Sequence, residues 1–203
     1  MVDFMKLSRM KSKIFLLIAG IFVALLIIFM LQGCHRDDVQ PMQMVTGGDL
    51  EAGTSLPIGW YYDNGQNNYS VAWTEDEAAS PKRSLKISTQ TSSITNFAFW
   101  GLSMNTNIPV GKDVTLRVKI KGNLIGSGVS LAVRGDDTDR PQGSAEQFKS
   151  TQGNISITGN VDWREYNVKL EKVGANIKSL TVYLVYLQNT TGDAYFDDVS
   201  LTY

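Results

Sequence analysis

The 203-residue chain has one cysteine and one histidine, Cys34 and His35, and both stand near its start. Everything after them is without a disulfide framework, without an imidazole for a Ser-His-Asp or Cys-His nucleophile, and without a histidine ligand for zinc. Gly-rich phosphate loops, CxxC pairs and HExxH helices are also missing. No basic cluster is interleaved with aromatics, which excludes nucleic acid as a partner. From Val45 onward there is no helical hydrophobic period either, so a helical body is excluded.

What the beginning does have is an address. Lys6, Arg9, Lys11 and Lys13 precede an uncharged run from Ile14 to Leu31, and the run ends in Leu31-Gln32-Gly33-Cys34. A positive region, an apolar region and a small residue before the cysteine are the parts of a secretory signal. The segment resembles a bacterial lipoprotein signal, which implies that residues 1–33 are removed and that Cys34 carries lipid. The alternative is an uncleaved anchor helix, because the apolar run approaches the roughly 20 residues that cross a bilayer. Either way the body is expected to be exported and tethered to a membrane.

Residues 34–44, with Asp37, Asp38 and Pro41, have no period and read as a short tether. Asp37-Asp38 beside the lipidated cysteine resembles acidic signals that direct some lipoproteins to the outer membrane and its exposed face. Four of the 19 basic residues and one of the 20 acidic residues fall before Cys34, so the remainder is net negative. That balance suits a solvated domain.

Residues 45–203 read as strands. Val114, Leu116, Val118 and Ile120 alternate with Thr115, Arg117, Lys119 and Lys121, placing one face in a core and the other in water. Val129-Leu131-Val133 and Tyr166-Val168-Leu170 repeat the pattern. Turn clusters separate such runs at 63–65, 121–123, 135–137, 158–160 and 191–193. About ten short strands at this spacing predict an all-β antiparallel β-sandwich. Two strands break the alternation. Leu180-Val182-Leu184 is backed by Tyr183 and Val185, and Phe97 and Phe99 are backed by Ala98, Trp100 and Leu102. A strand apolar on both faces is either central between two packed layers or part of an apolar binding surface, and a two-layer sandwich favours the second.

Gly47-Gly48-Asp49-Leu50-Glu51, Gly59-Trp60, Ser84-Leu85-Lys86-Ile87, Val110-Gly111-Lys112, Asp162-Trp163-Arg164-Glu165-Tyr166 and the closing Ala194-Tyr195-Phe196-Asp197-Asp198-Val199-Ser200-Leu201 follow one another in that order. In this order they resemble the carbohydrate-binding modules of the CenC type. The resemblance covers nearly all of 45–203 and implies a galactose-binding-domain-like jelly roll that binds a polysaccharide or oligosaccharide. The opening departs from the family pattern at Gly47 and Leu50.

Sugar binding needs flat apolar rings and planar polar groups. Trp100 and Tyr183, each on the second face of a strand with an apolar first face, are the expected platforms. Trp73 is either a rim platform or a buried residue. Arg134 is either a solvated side chain or a fork of donors for vicinal hydroxyls or a uronate, with Gln188 and Asn189 as further polar partners. The resemblance implies a packing role for Trp163, and Trp60 is also read as packing.

The resemblance further implies a structural Ca2+ held by Glu51 and Asp198 where the first and last strands meet, oxygen ligands being right for a hard cation. The alternative is that Asp197 and Asp198 form a bulge or turn contact. Glu75-Asp76-Glu77 and the acids at 136–139 supply clustered acids that a glycosidase could draw on, and both clusters sit in turn-like stretches. The expectation is a non-catalytic glycan-binding lipoprotein, acting beside glycan-degrading or transport proteins. The alternatives are an adhesion lipoprotein that contacts another protein, and lastly a small glycoside hydrolase.

Overall fold

The computed structural model describes residues 41–203. The expected signal at 1–33, the lipidation of Cys34 and the tether as far as Gln40 lie outside the described residues. Nine strands follow in order: β1 (Trp60–Asp63), β2 (Ser70–Thr74), β3 (Ser84–Thr89), β4 (Ala98–Asn105), β5 (Val114–Asp136), β6 (Gln147–Ser150), β7 (Ile157–Leu170), β8 (Ser179–Tyr186) and β9 (Thr190–Thr202). All pair antiparallel, and no helix occurs among the described residues.

One strand builds both layers. The first half of β5 pairs with β9 and β7, and its second half pairs with β8 and β6. The strand order β1-β4-β8-β5-β9-β3-β2 therefore folds over at β5. One layer is β1-β4-β8-β5-β6 and the other is β2-β3-β9-β5-β7. The bend lies at Gly126 and Gly128, where φ is +105° and +80°. A Cβ at either would run into the Asn189 or the Ile157 carbonyl, so glycine is required twice.

Nine strands replace the ten or so expected because Lys121-Gly122-Asn123, read as a turn, stays paired to β9 through Ala194 and Asp193. The clusters at 158–160 and 191–193 likewise lie within β7 and β9. Glycine bends these strands without ending them. The cluster at 63–65 is a true turn, closed by the Gly65 N–H donating to Asp63 Oδ1 at 2.7 Å.

The alternating residues fill one core between the layers. Leu116, Val118 and Ile120 of β5 meet Leu85, Ile87 and Phe196 from one side and Trp100, Val182 and Leu184 from the other, all fully or almost fully buried. The body starts earlier than Val45. Met42 and Tyr203 exchange backbone hydrogen bonds, the Met44 N–H donates to the Leu201 carbonyl, and Gln43 Oε1 accepts from the Leu201 N–H. Residues 42–44, expected in the tether, are the first paired segment of the sandwich.

The two outer faces differ. On the β3-β9-β5-β7 layer, Lys86 pairs with Asp76 and Asp193, Lys121 with Glu77, Lys119 with Asp198, and Arg117 with Glu165. Such exposed pairs add little to stability, and they describe a solvated face. The outer face of the β1-β4-β8-β5-β6 layer is instead aromatic.

Candidate functional site: an aromatic cleft on one layer

Cross-strand register decides which side chains share this outer face. Tyr183 on β8 stands opposite Gly101 on β4 and Ala132 on β5, while Val185 stands opposite Phe99 and Ser130. Arg134 on β5 lies between Thr181 of β8 and Phe148 of β6. Directly paired residues point to the same side. Phe99, Ala132, Arg134, Phe148, Tyr183 and Val185, with Phe97, Leu187, Gln188 and Gln152, line an open cleft of about 420 Å3, a size suited to a small ligand.

Aromatic rings line one flank. Tyr61 meets Phe99 edge to face at 6.1 Å, Phe99 meets Tyr183 likewise at 5.1 Å, and Phe97 leans on Phe99 at 6.3 Å. Phe97 is 52% exposed beside β4 and Phe148 is 57% exposed on β6. β8 and β5 run between β4 and β6, so three strand spacings separate the two rims, about 14 Å. Large apolar rings left open to water on a concave face are unusual in a surface with no partner.

The polar groups are few. Tyr183 is half-buried, and burial first, then the neighbouring Tyr61 hydroxyl, pushes its phenol well above the ordinary range. It stays protonated and offers a hydroxyl. Arg134 donates from Nε and Nη2 to both oxygens of Asp136 at 2.8 to 3.0 Å, and Nη2 also reaches the carbonyls of Gln142 and Gly143. Gln152 and Gln188 complete the set.

Of the expected ligand residues, the structure brings together Tyr183, Arg134 and Gln188. Trp100 is a correction. It is 0% exposed on the core face, opposite Leu184, and its indole N–H donates to the Lys86 carbonyl of the other layer. Trp73 is another. Its strand belongs to the other layer, its indole N–H is tied to the Leu50 carbonyl at 2.8 Å, and the Arg83 guanidinium covers its ring at 4.1 Å. Asn189 is outside the cleft, with φ +54° and its N–H donating to the Ile94 carbonyl. Trp60 packs in the core, whereas Trp163 is half-buried on β7 and belongs to neither core nor cleft.

Phe97, Phe99, Ala132, Phe148, Gln152, Val185 and Leu187 line the cleft but were missed as site residues. The parity of Phe97 and Phe99 was legible, but only the pairing of Gly101 with Tyr183 shows that this parity, and not that of Trp100, faces out.

The expected calcium ligands do not converge. Asp198 adopts φ +48° at an irregularity between β5 and β9 and pairs with Lys119 Nζ at 2.7 Å. Glu51 Oε1 accepts instead from the N–H groups of Lys82 and Arg83 and from the Ser80 hydroxyl. Burial pushes Glu51 up, but these hydrogen bonds and the Arg83 charge outweigh it and hold the carboxyl below the usual range. The buried carboxyl at this corner is Asp197, which accepts from the N–H groups of Ala79, Ser80 and Asp198 and from the Ser80 hydroxyl. Among the described residues no group of three or more acidic, cysteine or histidine side chains could hold a metal. The pair Glu51 and Asp198 does not fit a cation; Glu51 ties residues 80–83 to the opening segment, and Asp197 ties Ala79 and Ser80 to the last strand.

No family model and no curated protein sequence matches the chain. Solved structures do. A Stig cyclase, Fisc, from Fischerella sp. TAU superposes with a TM-score of 0.58 at 14% identity, covering 80% of this chain and 97% of that one. The CBM22-1 xylan-binding domain of Paenibacillus barcinonensis Xyn10C gives 0.51 at 16% identity, with 76% and 90% covered. The enzymatically active domain of bacteriophage CBA120 tailspike protein 4 gives 0.54 at 16% identity, covering 78% of this chain and 21% of that one. These likenesses define the fold, an all-β antiparallel sandwich of the jelly-roll type that carbohydrate-binding modules share with proteins of other functions.

Proposed function

We propose that the chain is an exported, lipid-anchored envelope protein that binds a glycan without transforming it, through the cleft of Phe97, Phe99, Phe148 and Tyr183. The observation that carries this reading is the cleft itself: exposed rings on a concave face, with hydroxyl, amide and guanidinium groups among them. Rings cover the C–H faces of pyranoses and the polar groups meet hydroxyls. A cleft of this shape suits a sugar chain better than a protein surface, which favours glycan binding over the adhesion reading.

Support for a non-catalytic role comes from the acids. Glu75, Asp76 and Glu77 are paired with Arg83, Lys86 and Lys121 around the other layer, and Asp136 is paired with Arg134. No carboxylate is among the residues lining the cleft, where a glycosidase would need two about 5 to 9.5 Å apart. Support for the anchor is the basic, apolar and Gly33-Cys34 sequence alone. From the outer membrane such a protein would deliver glycan to neighbouring degrading or transport proteins.

The test is a glycan array probed with the full chain in detergent, wild type against Tyr183→Ala, with labelled palmitate incorporation compared between wild type and Cys34→Ala. Binding that survives Tyr183→Ala, or label that survives Cys34→Ala, would sink the corresponding half. One observation favours a second reading. Six of the ten lining residues are Phe, Val, Leu or Ala, which also suits a small aromatic ligand such as an indole. Titration with indole in the same assay separates the two.

A further inference from the structure

Arg134 is the only lining residue with a formal charge, and that charge is already matched. Its Nε and Nη2 hold Asp136 in a two-pronged pair, and Nη2 also holds the loop carbonyls at 142 and 143. Only Nη1 makes no hydrogen bond to the described residues. The side chains of Asp136 and Arg134 are 3% and 17% exposed, so water screens the pair little.

From this geometry we infer that Asp136 sets the charge of the ligand: by neutralising Arg134 it makes the cleft select uncharged glycans over uronate-bearing ones. The inference rests on the glycan-binding reading of the cleft. A uronate carboxylate entering here would lose its hydration against Phe97, Phe99 and Phe148. It would find the fork of Arg134 taken by a carboxylate at hydrogen-bond distance. A neutral sugar loses far less hydration and can still accept from Nη1. The same pair also pins the end of β5 to the loop at 142–143. That structural role predicts no change in ligand selection when only the charge is removed, which makes Asp136→Asn informative.

The experiment uses the full chain in detergent on an array of neutral oligosaccharides and their uronate-bearing counterparts, at low and high salt, with thermal unfolding of each protein in parallel. Wild type is expected to bind neutral chains at least about tenfold more tightly, with affinity insensitive to salt. Asp136→Asn is expected to shift the ratio toward the uronate ligands by about tenfold at low salt, the scale of one charge-assisted hydrogen bond, and to keep most of that gain at high salt, the site being screened little. A wild type that prefers uronates overturns the inference, as does a folded Asp136→Asn with unchanged selection. Should Asp136→Asn fail to fold, the wild-type ratio at low salt decides alone. A wild type that binds no glycan overturns the glycan reading first, and this inference with it.

Discussion

Trp100 and Tyr183 occupy adjacent positions on paired strands and face opposite ways: Trp100 is level with Leu184 in the core, and Tyr183 is level with Gly101 on the outer face. Replacing each by alanine should therefore separate stability from binding. Trp100→Ala empties a fully buried site and is expected to cost about 3 to 5 kcal/mol. Tyr183→Ala loses mainly an edge contact with Phe99, about 0.5 to 1.5 kcal/mol beyond its buried area, yet removes glycan binding. Urea unfolding beside array binding checks both.

Tyr61 lies over Gly101, where an added Cβ would come within 2.5 Å of its ring. Gly101 has no left-handed backbone, so alanine is barred by the ring alone. Gly101→Ala is expected to swing the exposed Tyr61 outward, break its contact with Phe99, and weaken binding while lowering stability by about 1 kcal/mol. A variant with unaltered affinity and unaltered Tyr61 position would contradict this.

Phe97 and Phe148 stand at the two rims and contribute little to the core. Alanine at either should change stability by no more than about 0.5 kcal/mol and reduce affinity by up to about tenfold, one ring contact's worth. Calorimetric titration of a longer and a shorter oligosaccharide would show the loss confined to the longer chain if both rims are engaged.

Glu51 should make the sandwich acid-sensitive. Its carboxyl is held below the ordinary range in the folded state, so its contribution is full above the unfolded value near 4.5 and is lost as pH falls through the folded one. Melting temperatures of wild type should drop more steeply below about pH 4.5 than those of Glu51→Gln. Equal slopes would show that the carboxylate does no such work.

Asp197 accepts four hydrogen bonds while fully buried. An amide turned toward Ala79 and Ser80 would oppose donor to donor, so Asp197→Asn is expected to destabilise by about 1 to 3 kcal/mol and to expose residues 75–83 to protease. Added Ca2+ should leave the melting temperature of wild type unchanged, since the partners of Glu51 and Asp198 are protein groups.

Strand identity was legible because period-two alternation is a local property: Val114 to Ile120 and Tyr166 to Leu170 needed no neighbours to be read. Strand length was not, because Gly122, Gly159 and Gly192 look alike whether they end a strand or bend it. The face of the site was half legible. Tyr183 was placed correctly by the apolar run behind it, but β4 carries large rings on both parities, and its orientation is set by pairing with β8. Phe148 was invisible for a different reason. It sits alone in a four-residue edge strand with no pattern of its own, and it reaches the cleft only because β6 joins β5 at Arg134.

The shared strand β5 also governs how the cleft can respond to a ligand. Leu116 is paired with Leu201 in one layer and Val133 with Val182 in the other, on one continuous stretch of backbone. Neither layer can slide past the other without breaking pairs in both. The cleft floor is thus preorganised, and the ordering entropy of association falls on the rim side chains alone. Capture should be as fast as encounter permits, with affinity differences among ligands expressed in how long they stay.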